Sequence, residues 1–349
     1  MLRFVALIGI FAVMSATAMY ALFFFHDDAV LFTVRSVDVT YDLLQSLAVF
    51  GLVLCAIVSA CSYLCIVAMT CLQGDQDLKK KYDAKWALVT GSSSGIGKAI
   101  AHKLAGQGLN IVLAAPGFDK LHPKSVEEFK TKYPHLEFRR ADINLSDAQG
   151  QYMDEIRRVT DDILVQIVFS NAGYMRTGLF TTLSPLDNLN NFHCNATASV
   201  HITHHFMRLL KDSGRRGCFV YTSSPANMMP APMSAMYSGT KAFVTNFATS
   251  IAPEVSPFGI DVSVIHPSPV ASRFYDGAHS IGALLFFKGT SKGPEVVVAK
   301  AFQGIGRQVQ HRATCPRFVR SLGVQLCGCL LNTVVALFGP CCLLHVGDH

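Results

Sequence analysis

Charge is scarce in this sequence. Asp, Glu, Lys and Arg make up 15% of 349 residues while 50% are hydrophobic, against a charged share of about 25% in an average soluble protein. A surface this poor in charge faces something besides water, and that points to a membrane. The net charge of +6 is spread along the chain with no long Lys/Arg run, which argues against a nucleic-acid partner and fits a basic rim beside anionic lipid better. Cysteine spacing is equally uninformative of a framework. Of eleven cysteines, eight lie in strongly apolar stretches and only Cys194, Cys218 and Cys315 lie elsewhere, so neither a disulfide scaffold nor a zinc pattern emerges. No repeat or low-complexity segment is present.

Long apolar runs are what the chain has instead. Residues 4–25 carry no charge and reach the roughly 20 residues that cross a bilayer as a helix. A second run, 47–72, follows soon after, which favours two spanning helices (1–25 and 47–72) over a cleaved signal peptide. Between them, 26–46 carries Asp27, Asp28, Asp38 and Asp42 against Arg35, whereas Arg3 precedes the first run and Lys79, Lys80, Lys81 and Lys85 follow the second. The positive-inside rule then makes 26–46 a short non-cytosolic loop, 73–83 a basic cytosolic linker, and places all that follows in the cytosol. A tail, 313–349, is basic and then apolar, and is expected to associate with the membrane by spanning it, re-entering it or lying flat.

From Trp86 the pattern changes. Short apolar runs (WALVTG, NIVLAA, LEFRRADI, ILVQIVFS, GCFVYTS, IDVSVIHP) alternate with amphipathic stretches. This alternation predicts an α/β domain over 84–312 with a Rossmann-type, doubly wound parallel sheet. Between the first strand and the following helix lies TGSSSGIG, with Ser93, Ser94 and Ile96 set among Gly91, Gly95 and Gly97. Glycines there allow a tight turn and a close approach of backbone to a pyrophosphate at the helix N-terminus.

Four further motifs follow in order: Asn171-Ala172-Gly173 after the fourth strand, then Asn195, then Ser224, and thirteen residues later Tyr237 with Lys241 one helical turn on. A tyrosine near its ordinary pKa of about 10 is a poor base at neutral pH, and a nearby ammonium favours its phenolate. Ser224, ending the fifth strand, is placed to hydrogen-bond the same substrate oxygen. Alone, Tyr237 and Lys241 would be an ordinary helix-surface pair and Ser224 a loop residue. Together with the TGxxxGIG spacing, these motifs resemble the short-chain dehydrogenase/reductase family over about residues 84–310.

That resemblance implies a nicotinamide cofactor held by the glycine turn, by Asn171, Ala172 and Gly173, by Tyr237 and Lys241, and by Val270 and Ser272 after the sixth strand. It implies that Asn195 anchors a water passing protons to Lys241. The sequence departs from the family at Pro267-Ser268-Pro269, where a Pro-Gly is usual, and Ser272 stands for the usual threonine. Asp142 matches the family's adenine-contacting aspartate, although capping the segment from Ser146 is an equal alternative for it. The second strand ends Ala114-Ala115-Pro116, without the acid that selects NAD, so NADP(H) is favoured over NAD(H). His201, His204 and His205 share one helix face, but no carboxylate or cysteine joins them, and no metal is expected. In the family that helix packs against a second subunit, so a homodimer is an expectation.

The substrate is read from apolar residues beside the tyrosine: Met228, Met229, Met233 and Met236 before it, and Ile281, Leu284, Leu285, Phe286 and Phe287 after the sixth strand. Such residues most often fill a core, but beside an acid/base tyrosine they also suit a long lipid. The anchor, MMPAPMSAMYSGTKAFV and PSPVAS resemble the membrane-bound very-long-chain 3-oxoacyl-CoA reductases and their 17β-hydroxysteroid dehydrogenase relatives. The expectation is reduction of a ketone on a lipid-like molecule at the endoplasmic reticulum membrane. A lipid alcohol dehydrogenase with the same site, or a non-catalytic membrane scaffold keeping the fold, are the alternatives.

Overall fold

The computed structural model describes residues 32–34, 37–39, most of 46–61, 74–117, 125–228, 230–267, 270, 274, 291–307 and 309–311. The apolar run 4–25, Met229, Ser272, residues 281–287 and the tail 313–349 lie outside them. Two compact units divide at Gly74 and Asp75. In the first, Phe32–Val34 pairs antiparallel with Val37–Val39. The described residues between 46 and 61 are helical, and Leu47, Phe50 and Ile57 on them are more than half exposed. Among the described residues no helix is long and apolar enough to cross a membrane.

The second unit is built on a seven-stranded sheet, all of whose neighbouring strands are parallel. Its elements are α1 (Leu78–Tyr82), β1 (Trp86–Thr90), α2 (Gly95–Gly106), β2 (Asn110–Ala115), α3 (Ser125–Lys132), β3 (Phe138–Asp142), α4 (Tyr152–Arg158), β4 (Val165–Ser170), α5 (Pro185–Phe192), a π-helical turn (His193–Thr197), α6 (Ala198–Asp212), β5 (Gly217–Thr222), α7 (Ala235–Val255), β6 (Ile260–Ile265), α8 (Pro294–Gly304) and β7 (Gln310–His311). Strand order is β3-β2-β1-β4-β5-β6-β7. The central strands are buried along nearly their whole length, as a sheet covered on both faces requires, which is why they read as continuous apolar runs. One face packs Ile100, Leu104, Phe129 and Phe302. The other packs Ile156, Ile202, Phe206 and Val244.

This is the doubly wound α/β architecture expected from the alternating pattern. Chain order reverses between β1 and β4, and in such sheets ligands bind outside the carboxyl ends of the strands at that point. One boundary, that of the expected linker 73–83, differs from expectation. Residues 75–83 are no linker: Leu78 and Tyr82 are buried, and Gln76 donates from Nε2 to the carbonyls of Phe302, Gln303 and Ile305 at 2.8–3.1 Å. Its polarity hid this segment, because a buried glutamine bonded to carbonyls looks like a solvated one in sequence. Strand β7 was also unannounced, being two residues long.

Candidate active site

The glycine turn sits at the switch point. Gly91 and Gly95 adopt left-handed backbone, φ +68° and +55°, which side chains resist. A Cβ on Gly97 would overlap the Gly91 carbonyl oxygen and come within 2.6 Å of Asn171 Nδ2. Ser93, Ser94 and Ile96 are half-buried around this turn. Ser94 is the N-cap residue of α2, but its side chain makes no capping bond, so the helix presents its N–H groups and positive dipole end without an internal anion. A tight, glycine-lined cradle at a helix N-terminus fits the pyrophosphate of a dinucleotide.

Thr90, ending β1, organises the next motif. Its Oγ1 accepts from the N–H of Asn171 at 2.9 Å and of Ala172 at 3.0 Å. Asn171 Nδ2 donates to the Thr90 carbonyl at 3.1 Å, while its Oδ1 accepts from Thr222 Oγ1 at 3.1 Å. These bonds lock the ends of β1, β4 and β5 together. A Cβ on Gly173 would meet Asn195 Oδ1 at 3.0 Å and Lys241 Nζ at 3.3 Å, so the chain here runs flush against both.

Asn195 lies in the π-helical turn between α5 and α6, a device often found at functional sites. It is 2% exposed. Its Oδ1 accepts from Tyr174 N–H at 3.0 Å, and its Nδ2 donates to the Tyr174 carbonyl at 2.9 Å and to Thr240 Oγ1 at 3.3 Å. Asn191, one turn earlier, donates to the same carbonyl at 2.8 Å.

Tyr237 and Lys241 occupy the first turns of α7, and both are buried. The ammonium lies 5.7 Å from the centroid of the tyrosine ring and donates to the Thr222 carbonyl at 2.8 Å. Burial pulls the Lys241 ammonium down to about 8, with the nearby Cys194 pushing weakly the other way. The Cys194 thiol is itself pushed up by burial to about 11, so it is protonated and unreactive at neutral pH. The Phe274 ring lies tilted against Tyr237, ring centroids 5.5 Å apart.

Ser224 follows β5 by two residues, and its Oγ accepts from the Ala226 N–H at 3.2 Å. The preceding Ser223 donates to the Lys241 carbonyl at 3.0 Å and shares a hydrogen bond with Thr245 Oγ1 at 2.7 Å, fixing this loop to α7. Val270 is buried and bridges to Lys292.

Asp142 ends β3 as the sequence implied. Its Oδ1 accepts from the N–H of Gly117, φ +65°, at 2.7 Å, so it shapes the turn after β2. It caps no helix: before α4, whose N-cap residue Gln151 makes no side-chain cap bond, Asp147 Oδ2 accepts from the Gln151 N–H at 2.6 Å. His201 packs against Gly150 and sets its ring edge-on to Tyr152. Among the described residues no group of three or more metal-ligating side chains forms.

Beside the start of α7 lies a small cavity lined by Phe180, Leu183, Met233, Met236, Arg176 and Asn188. Met233 and Met236 thus face it, while Met228 lies in a 3-10 turn. Met233 adopts φ +63°, and its carbonyl accepts from Gly178 N–H at 2.8 Å. Arg176 pairs with Asp187, Nη2 to Oδ1 2.6 Å. Thr90, Thr222, Tyr174 and Asn191 were not singled out from sequence. Only Thr90, adjoining the glycine turn, carried a readable signal.

The family described as short chain dehydrogenase matches residues 85–279. Mouse 17-beta-hydroxysteroid dehydrogenase type 3 is 27% identical over 253 residues, covering 72% of this chain and 74% of that one. A very-long-chain 3-oxoacyl-CoA reductase-like protein of Arabidopsis thaliana is 32% identical over 231 residues, covering 65% and 72%. In fold, the chain is similar to a short-chain dehydrogenase from Sphingobium yanoikuyae in complex with NADPH, with TM-score 0.60 and 23% identity, covering 69% of this chain and 94% of that one. The glycine cradle, the ordered motifs and these likenesses lead to one conclusion: the chain belongs to the short-chain dehydrogenase family, whose members are NAD(P)(H)-dependent oxidoreductases.

Proposed function

We propose that this protein is a membrane-anchored reductase that converts the ketone of a lipid-like substrate, a 3-oxoacyl-CoA, ketosteroid or ketosphingoid, to an alcohol. The carrying observation is that Lys241 lies 5.7 Å from the Tyr237 ring and flanks Gly173 together with Asn195, beside a small cavity whose lining includes Phe180, Leu183, Met233 and Met236. The names of the two relatives, one a hydroxysteroid dehydrogenase and one a 3-oxoacyl-CoA reductase-like protein, point to the same substrate class.

NADPH, when bound, supplies the hydride. The residues to hold it are Gly91, Ser93, Ser94, Gly95, Ile96 and Gly97 around the pyrophosphate, Asp142 near adenine, and Asn171, Ala172, Gly173, Val270 and Ser272 along the rest. No carboxylate ends β2 to take the ribose 2′-hydroxyl, which supports NADP(H) over NAD(H). Tyr237 gives its phenolic proton to the ketone oxygen as the carbon receives hydride. Lys241, cationic below about pH 8, favours the phenolate that this leaves. Ser224 holds the ketone oxygen in line, and Asn195 anchors the water through which Lys241 and Tyr237 are reprotonated.

Anchoring rests on the apolar runs 4–25 and 47–72 and on the exposed apolar side chains of the described helix between 46 and 61. With the lysines after the second run, they support a cytosol-facing catalytic unit at the endoplasmic reticulum membrane. Pairing of two copies through α6 and α7 accords with exposed Leu209 and Phe243 on those helices.

Oxidation of NADPH and NADH by detergent-purified full chain, with 3-oxoacyl-CoAs of varied length, 3-ketodihydrosphingosine and ketosteroids, tests the reading. Ketone-dependent NADPH oxidation supports it and names the lipid. Turnover only of alcohols with NADP or NAD would reverse the direction. No turnover either way would leave the scaffold alternative.

A further inference from the structure

The two edges of the sheet carry different chemistry, and the chain enters this unit at one of them, four residues after the apolar run that ends at Leu72. Gln76 is buried and tied to three carbonyls at the end of α8. Tyr82 donates to Asp261 Oδ2 at 2.8 Å at the start of β6. Its carbonyl accepts from Gln166 Nε2, at the start of β4, at 3.1 Å. Residues 76–82 are therefore pinned to the amino edge of the sheet. Four peptide steps separate Leu72 from Gln76, a reach of at most about 14 Å.

Around that attachment lies a basic collar. Segments 75–85 and 211–216 hold seven cations, Lys79, Lys80, Lys81, Lys85, Lys211, Arg215 and Arg216, against four acids, Asp75, Asp77, Asp83 and Asp212, while elsewhere on this edge Asp261 faces Lys81, and Glu137 and Asp162 pair with Arg139. Asp75 pairs with Lys103, Asp77 caps α1 and lies 3.7 Å from Lys80, Asp83 pairs with Arg215, and Lys81 faces Asp261 at 3.3 Å. Lys79, Lys80, Lys85, Lys211, Arg215 and Arg216 are all exposed. Beside them Phe258 is exposed, with the Lys211 ammonium 4.4 Å over its ring. Segment 174–189, at the opposite edge, is unlike this: its charges are Arg176 and Asp187, paired together, and Leu179, Phe180, Leu186 and Leu189 are exposed.

We infer that the amino edge is the face this catalytic unit turns to the bilayer, its collar seated on anionic lipid headgroups, so that the mouth beside Tyr237 opens away from the surface. The inference rests on the anchored reading above. Charge complementarity and the short tether carry it, since exposed cations act over a Debye length of about 8 Å and the tether holds the collar near that range. A substrate that reaches Tyr237 in this orientation must come with a water-soluble carrier group or leave the bilayer first, rather than slide in from the membrane plane.

Photo-crosslinking of the full chain in phosphatidylcholine vesicles, with and without phosphatidylserine, tests the orientation. The probe, p-benzoylphenylalanine, goes at position 80, 216 or 186, all exposed. Several-fold more lipid adduct at 80 and 216 than at 186, rising with phosphatidylserine, is the expected result. Adducts concentrated at 186 would overturn it in favour of an apolar mouth resting on the bilayer, and adducts indifferent to phosphatidylserine would overturn the headgroup contact. Lys85→Glu with Arg216→Glu should abolish the phosphatidylserine dependence and leave turnover of a soluble ketone unchanged; an intact dependence counts against the collar. Release of the protein by alkaline carbonate would be a separate failure, that of the anchored reading itself.

Discussion

At the amino edge of the sheet, buried polar side chains are spent on the fold: Gln166 alone donates to the carbonyls of Tyr82, Asp83 and Arg216 and accepts from Lys85 N–H. At the carboxyl edge the polar groups hold backbone in place too, but around a π-helical turn and a buried ammonium. One edge is satisfied and built for closure. The other keeps a cation in low dielectric, which is costly and is expected where a site must be preorganised.

The contrast predicts that equal-sized injuries at the two edges separate activity from stability. Tyr237→Phe, at the carboxyl edge, should cut ketone-dependent NADPH oxidation by about 10² to 10⁴-fold with little change in the urea midpoint. Turnover within threefold of the parent, on the order of 1 kcal/mol or less, would remove Tyr237 as the acid. At the amino edge, Gln166→Ala leaves three carbonyls and an amide without their partner and should cost about 3 kcal/mol of stability, read by urea unfolding, with turnover per folded molecule preserved. If it instead lost activity at unchanged stability, the division between the edges would fail.

Gly97→Ala sits between these cases. Displacing the Gly91 carbonyl should cost about 1–3 kcal/mol and weaken NADPH binding measured by nucleotide fluorescence; unaltered affinity would show that the cradle is not the pyrophosphate site. The smallest effect is a pH dependence. Lys241 titrates near 8 when folded and in its ordinary range above 10 when unfolded, so between these the unfolded chain binds the extra proton. Stability of the cofactor-free protein should therefore rise with pH across that window, relative to Lys241→Met. A difference that is flat or falls would mean the ammonium is not held in low dielectric.

Legibility followed locality. The strands β1, β2, β4, β5 and β6 were readable because burial on both faces leaves an apolar run, and the glycine turn because its geometry constrains adjacent residues. Asn171 was readable as part of a motif, yet its bonds to Thr90 and Thr222 join segments 81 and 51 residues apart. The packing of residues 75–83, within the expected linker 73–83, was hidden for the same reason, since their partners lie at 166, 261 and 302–305.

The amino-acid sequence by itself determined the alternation of buried strands and amphipathic helices, the glycine turn between β1 and α2, and the Tyr237 and Lys241 pair on one helix, because each is written in residues that are neighbours or one helical turn apart. Tertiary structure alone decided where the folded unit begins, how Asn195 is held in a π-helical turn, and how far Lys241 is drawn from its ordinary titration. Those depend on desolvation and on hydrogen bonds between distant segments, which no local pattern encodes.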